Sequence, residues 1–148
     1  MDAAAGERAA QAADADAGYT LAGRRVLIAE DMEINAEILM DLLDMEGISA
    51  EHAENGQLAV DMFSKAPEGH FAAILMDVRM PVMDGLEATR AIRALDRPDA
   101  KTIPIIAMTA NAFDEDVQRS LQAGMTAHLS KPVEPDRLFD TLGKLAKA

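Results

Sequence analysis

The chain has 148 residues, 49% of them apolar and 27% charged, which suits one domain able to bury a single core. It contains no cysteine, so disulfides, thiolate nucleophiles and thiolate metal sites are excluded. With 26 acidic against 14 basic side chains the formal charge is −12, which argues against nucleic-acid and anionic-membrane binding and favours cations or basic partners.

Residues 1–22 form an Ala-rich zone with almost no large apolar side chain. Such a segment buries too little to offset its ordering entropy and reads as a disordered or linker-like tail. It lacks the basic start and apolar middle of a signal peptide. No apolar run approaches the roughly 18–20 residues that cross a bilayer, so no membrane insertion and a cytoplasmic location are expected.

From Arg24 onward apolar runs alternate with helical periods. Val26 to Ala29 reads as a first strand, followed by a helix over Glu33 to Glu46 with Ile34, Ile38, Leu42 and Met45 at helical spacing. Gly47 suits the left-handed cap of that helix. Ile48 to Ala53 reads as a second strand, and Asn55-Gly56 as a turn into a second helix running through Leu58, Val60 and Phe63. Ala72 to Met76 is the most strand-like run and leads directly into Asp77.

A helix is expected over Asp84 to Leu95, then a polar loop from Asp96 to Thr102, and a fourth strand over Ile103 to Met108. Phe113 to Ala123, closed by Gly124, reads as a helix, and Ala127 to Ser130 as a short fifth strand. Pro135 suits the first turn of a last helix, with Leu138, Leu142 and Leu145 as its buried stripe. Five strand–helix units predict an α/β fold of flavodoxin-like, doubly wound (βα)5 type: a parallel sheet in the order 2-1-3-4-5 spanning 23–148.

On that frame Glu30 and Asp31 follow the first strand, Asp77 ends the third, Thr109 lies past the fourth and Lys131 past the fifth. Strand ends of a parallel sheet share one edge, and strands one and three meet where the winding reverses, the place where open α/β sheets bind ligands. Three carboxylates, a hydroxyl and an ammonium therefore converge. Crowded carboxylates raise at least one pKa and invite a hard divalent cation, Mg²⁺ or Mn²⁺, held by Asp31, Asp77 and a backbone carbonyl, with Glu30 nearby or acting through water. Asp is an established phosphoryl acceptor, and the cation, Lys131 and Thr109 would offset the phosphoryl charge. His52, His70 and His128 are scattered and predict no histidine metal site.

Four segments then carry a family resemblance: Val26-Leu27-Ile28-Ala29-Glu30-Asp31, the run from Ile74 through Asp77-Val78-Arg79-Met80-Pro81 to Gly85, the run from Ile103 through Thr109 to Ala112, and Leu129-Ser130-Lys131-Pro132-Val133. The chain resembles the receiver domains of two-component response regulators, of the kind found in hybrid sensor histidine kinases or single-domain regulators. The resemblance implies that Asp77 takes a phosphoryl group from a histidine kinase or histidine phosphotransfer protein. It implies that Glu30 and Asp31 serve the cation with the Arg79 carbonyl, that Thr109 is the switch hydroxyl, and that Lys131 pairs with the phosphoryl group. Pro132 is expected to follow a cis peptide bond.

One departure is His128, three residues before Lys131, where the family usually carries Tyr or Phe as a second switch residue. A signalling module rather than a conventional enzyme is implied. Its downstream protein partner would meet the helix at 113–123, the fifth strand and the last helix. Phosphotransfer partners are expected near the first helix. The rival readings are a flavin carrier, which the acidic loop Glu30-Asp31-Met32-Glu33 disfavours, a phosphatase of the haloacid-dehalogenase type, and a pseudo-receiver that binds a partner without being phosphorylated.

Overall fold

The structure, a computed structural model, describes residues 22–109 and 121–145. The tail expected over 1–22 lies outside these residues apart from Ala22, and so does the expected helix at 113–123 apart from its last turn. Strands and helices follow one another along the described residues. They are β1 (Arg25–Ala29), α1 (Glu33–Met45), β2 (Ser49–Ala53), α2 (Gly56–Lys65), β3 (Ala73–Asp77), α3 (Gly85–Arg93), α4 (Pro98–Thr102), β4 (Ile105–Thr109), β5 (Ala127–Ser130) and α5 (Pro135–Leu145). All strand pairs are parallel, in the order β2-β1-β3-β4-β5. The predicted sheet order and fold class are therefore observed.

The strands divide their side chains between two cores, as a period of two requires. Leu27, Ala29, Ile74, Met76, Ile105 and Ala107 pack on one face against Phe63 of α2 and Ala88 and Ile92 of α3. Val26, Ile28, Ala73, Leu75, Ile106 and Met108 pack on the other against Leu39 and Leu43 of α1 and Leu138 and Leu142 of α5. Every residue of β3 and β4 is buried, as expected for central strands covered on both sides.

Local chemistry sets the helix starts. Asn55 caps α2 by accepting the Leu58 N–H at 2.8 Å. Asp84 and Glu87 form a reciprocal capping box on α3. Gly47 sits at φ 76° behind α1, as expected of a glycine closing a helix. Val82 at φ 71° is a non-glycine, β-branched residue in the left-handed region, an uncommon and strained choice.

Packing settles two helix faces that the spacing leaves open, and one expectation needs correction. The core face of α1 is Ala36, Leu39 and Leu43; Ile34, Ile38 and Met45 are exposed. Both sets recur at helical spacing, and the sheet lies under only one of them. Leu58 is likewise exposed, because α2 turns Ala59 and Phe63 inward. The polar stretch 96–102 is not a plain loop but holds α4, with Pro98 in its first turn and Ala100 buried.

Arg97 organises that stretch. Its guanidinium pairs with both Asp99 oxygens at 2.7 and 3.0 Å, donates to the Phe63 carbonyl at 3.1 Å, and lies 4.7 Å from the Phe63 ring centre. Among the described residues no helix is long and apolar enough to cross a membrane.

Candidate metal and phosphoacceptor cleft

The candidate site occupies the C-terminal edge of the sheet, at the β1–β3 reversal. Glu30 directly follows β1, and its N–H donates to the Ala53 carbonyl at 3.0 Å, so the backbone still follows the strand there. Its side chain is fully buried. Oε2 accepts from the Met32 N–H at 3.1 Å. Oε1 forms an ion pair with Lys131 Nζ at 3.1 Å and has no other partner among the described residues. Asp31 is exposed on the following turn.

Asp77 is the last residue of β3 and is buried. Its Oδ2 accepts from Lys131 Nζ at 2.8 Å across 54 residues of sequence, and its Oδ1 from the Arg79 N–H at 3.3 Å. The backbone behind Asp77 is pinned by close approach. A Cβ on Gly85 would stand 2.2 Å from the Asp77 carbonyl oxygen, so only glycine fits there. Thr109 ends β4, is buried, and accepts the Lys131 N–H at its carbonyl, 2.9 Å away. Lys131 follows β5 immediately, and the Lys131–Pro132 peptide is cis. His128 lies on β5 opposite Ala107 and is exposed.

The electrostatics follow from this crowding. Burial first, then the Asp77 charge, push the Glu30 carboxyl above its usual pKa, against the Met32 hydrogen bond and Lys131. Burial works to lower the Lys131 pKa, but the hydrogen bond and charge of Asp77, joined by Glu30, outweigh it and raise it, so the ammonium stays charged. Glu30, Asp31 and Asp77 each offer an oxygen, all within 4.8 Å of one another. Three carboxylates against one ammonium leave an excess of two negative charges. That excess and the all-oxygen donors fit a hard divalent cation.

The sequence-predicted residues Glu30, Asp31, Asp77, Thr109 and Lys131 thus lie along one edge of the sheet. Two contributors were not foreseen. His52 reaches from β2 to the Glu30 carbonyl at 2.7 Å. Gly56, read as a mere turn, donates its N–H to the Met83 carbonyl at 3.0 Å, and a Cβ there would lie 2.3 Å from the same oxygen. The Asn-Gly pair after an alternating strand was the available signal for close packing at Gly56. Nothing in the sequence pattern marks His52.

The model of the response regulator receiver domain matches residues 26–143. This chain belongs to the response regulator receiver family. It is 35% identical over 127 residues to hybrid signal transduction histidine kinase I of Dictyostelium discoideum, covering 84% of this chain and 7% of that protein. The chain therefore spans only a small part of that relative's length. Among solved structures, the receiver domain of a sensor histidine kinase from Pseudomonas aeruginosa is similar at TM-score 0.77 and 37% identity, covering 84% of this chain and 98% of that one. That structure has a magnesium ion coordinated in its active-site cleft. The receiver domain of Ssk1, in complex with the histidine phosphotransfer protein Ypd1 of Saccharomyces cerevisiae, is similar at TM-score 0.75 and 29% identity, covering 85% and 90%.

The receiver is a module of two-component and phosphorelay signalling. The flavin-carrier and dehalogenase-type phosphatase readings do not survive membership of this family.

Proposed function

We propose that this receiver takes a phosphoryl group onto Asp77 and signals through the rearrangement that follows. The observation carrying this reading is the Lys131 ammonium bonded to Asp77 at 2.8 Å beside the Glu30–Asp31–Asp77 cluster. An Asp77 oxygen attacks the phosphorus of a phosphohistidine or acyl phosphate; the new O–P bond forms as the donor's P–N or P–O bond breaks. Phosphoryl transfer demands in-line placement and charge neutralisation more than covalent help.

Mg²⁺ or Mn²⁺, held by Asp31, Asp77, the Arg79 carbonyl and Glu30 directly or through water, would supply charge neutralisation at the phosphoryl oxygens. Lys131 stays protonated and offers its remaining donor capacity to the same group. Thr109, at the end of the neighbouring strand, serves as the switch hydroxyl, with exposed His128 as its partner on β5.

The phosphoryl donor is a histidine kinase or a histidine phosphotransfer protein. Exposed Met32, Ile34 and Ile38 on and before α1, and Val82 on the β3–α3 loop, provide apolar contact beside the cleft for such a partner. Acidic Glu33, Glu37 and Asp41 on α1 favour a basic rim on it. The output surface is β5 and α5 with the segment before β5, and the site of action is the cytoplasm. Intact mass after treatment with acetyl phosphate and Mg²⁺ should show one added phosphoryl group, lost in Asp77→Asn. No gain from small donors or from charged phosphotransfer proteins would favour the alternative, a pseudo-receiver that only binds a partner.

A further inference from the structure

We propose that His52 is a positioning residue for cation binding: it fixes the acidic loop by holding the Glu30 carbonyl at the point where β2 ends. The inference rests on the cation reading of the cleft. The β1–β2 register pairs Ala29 with Ala53, so continued parallel pairing would set Glu30 opposite Glu54. Glu30 N–H then donates to Ala53, as observed at 3.0 Å, and the Glu30 carbonyl would next accept from Asn55 N–H. But β2 ends at Ala53, and Asn55 already serves as the N-cap of α2.

The His52 imidazole supplies the donor instead, with Nε2 2.7 Å from the Glu30 oxygen. Because the partner is a carbonyl, which can only accept, Nε2 must carry the proton.

The consequence falls on the ligand loop. With its N–H and its C=O both held by β2, Glu30 has its peptide planes fixed on either side. The second of these planes is the Glu30–Asp31 peptide, which sets the direction in which Asp31 leaves the strand. The next N–H, of Met32, closes onto Glu30 Oε2 at 3.1 Å. Cation ligands depend on outer partners that fix their orientation, and loss of such a partner typically costs metal affinity. An ordinary structural histidine would satisfy the carbonyl and stabilise the fold without touching affinity.

Mn²⁺ binding to the full chain, read by electron paramagnetic resonance of the free ion, separates these roles. His52→Leu and His52→Val both remove the donor, and the Val variant keeps a strand-forming residue should Leu not fold. His52→Gln places an amide N–H near the imidazole Nε2 position. The expected result is an affinity loss of about ten-fold for the donor-less variants, with His52→Gln within about two-fold of wild type. Unchanged affinity without the donor, or a His52→Gln loss as large as the others, overturns the positioning role while wild-type binding stands. Failure of the wild type to bind Mn²⁺ would instead overturn the cation reading, and this inference with it.

Discussion

Glu30→Gln should make the protein more stable in the absence of divalent cations. The buried carboxylate is drawn to Lys131 at 3.1 Å and repelled by an Asp77 oxygen no more than 4.8 Å away. With an effective dielectric constant of about 20, these terms are roughly 5 kcal/mol of attraction and at least about 3.5 kcal/mol of repulsion. They nearly cancel, so the cost of burying the charge, several kcal/mol for a typical ion, decides the sign. A neutral Gln avoids most of that cost and can keep the Met32 hydrogen bond through its amide oxygen.

We expect a gain of about 2 kcal/mol at neutral pH with EDTA, or about 4–8 °C in melting temperature for a domain of this size. Far-UV circular dichroism is the suitable probe, since the chain has no Trp and one Tyr. The raised folded-state pKa of Glu30 fixes the pH dependence. Between the unfolded glutamate value of about 4.3 and the higher folded value, the native state binds more protons, so wild-type stability falls as pH rises through that window. The gap between variant and wild type should therefore close toward pH 4. Saturating Mg²⁺ should help the wild type more than the variant. A Glu30→Gln protein less stable than wild type in EDTA at neutral pH would show instead that the Lys131 attraction outweighs the cost of burial.

Three further outcomes follow from particular contacts. Val82→Asn or Val82→Gly should stabilise by about 1 kcal/mol in urea titrations, because an exposed β-branched residue at φ 71° is replaced by one that tolerates that backbone. Gly85→Ala should cost about 3 kcal/mol or more and slow phosphorylation, since its Cβ meets the Asp77 carbonyl at 2.2 Å and must push the acceptor strand aside. Asp99→Ala should cost about 1–2 kcal/mol at pH 7 by breaking the Arg97 pair and the Gly69 N–H bond. The Arg97 hydrogen bond holds the Asp99 carboxyl below its usual pKa, so that contribution is present above about pH 4 and lost as pH falls through the lower folded value.

The sheet was legible because its central strands are unbroken apolar runs ending in polar residues, so Asp77 and Thr109 announce the edge by ending Ala73–Asp77 and Ile105–Thr109. The face of α1 was not legible. Ile34, Ile38, Leu42 and Met45 make as good a helical stripe as Ala36, Leu39 and Leu43, and only packing on Val26 and Ile28 selects the second. The first stripe keeps Ile34 and Ile38 exposed beside the cleft. α4 was hidden by its polarity, with Ala100 its one buried side chain and Arg97 and Asp99 pairing just before and within it. The His52 contact was hidden for another reason: it joins a side chain to a backbone carbonyl 22 residues away, and no side-chain pattern encodes a carbonyl.

The proposal stands or falls on Asp77 being the residue that carries the phosphoryl group. Trapping the acetyl-phosphate-treated protein with borohydride, which reduces an acyl phosphate to the alcohol with loss of phosphate, and mapping the peptides locates it. Reduction is expected at residue 77 alone, dependent on Mg²⁺ or Mn²⁺. Reduction at Asp31 or elsewhere with residue 77 untouched would contradict it.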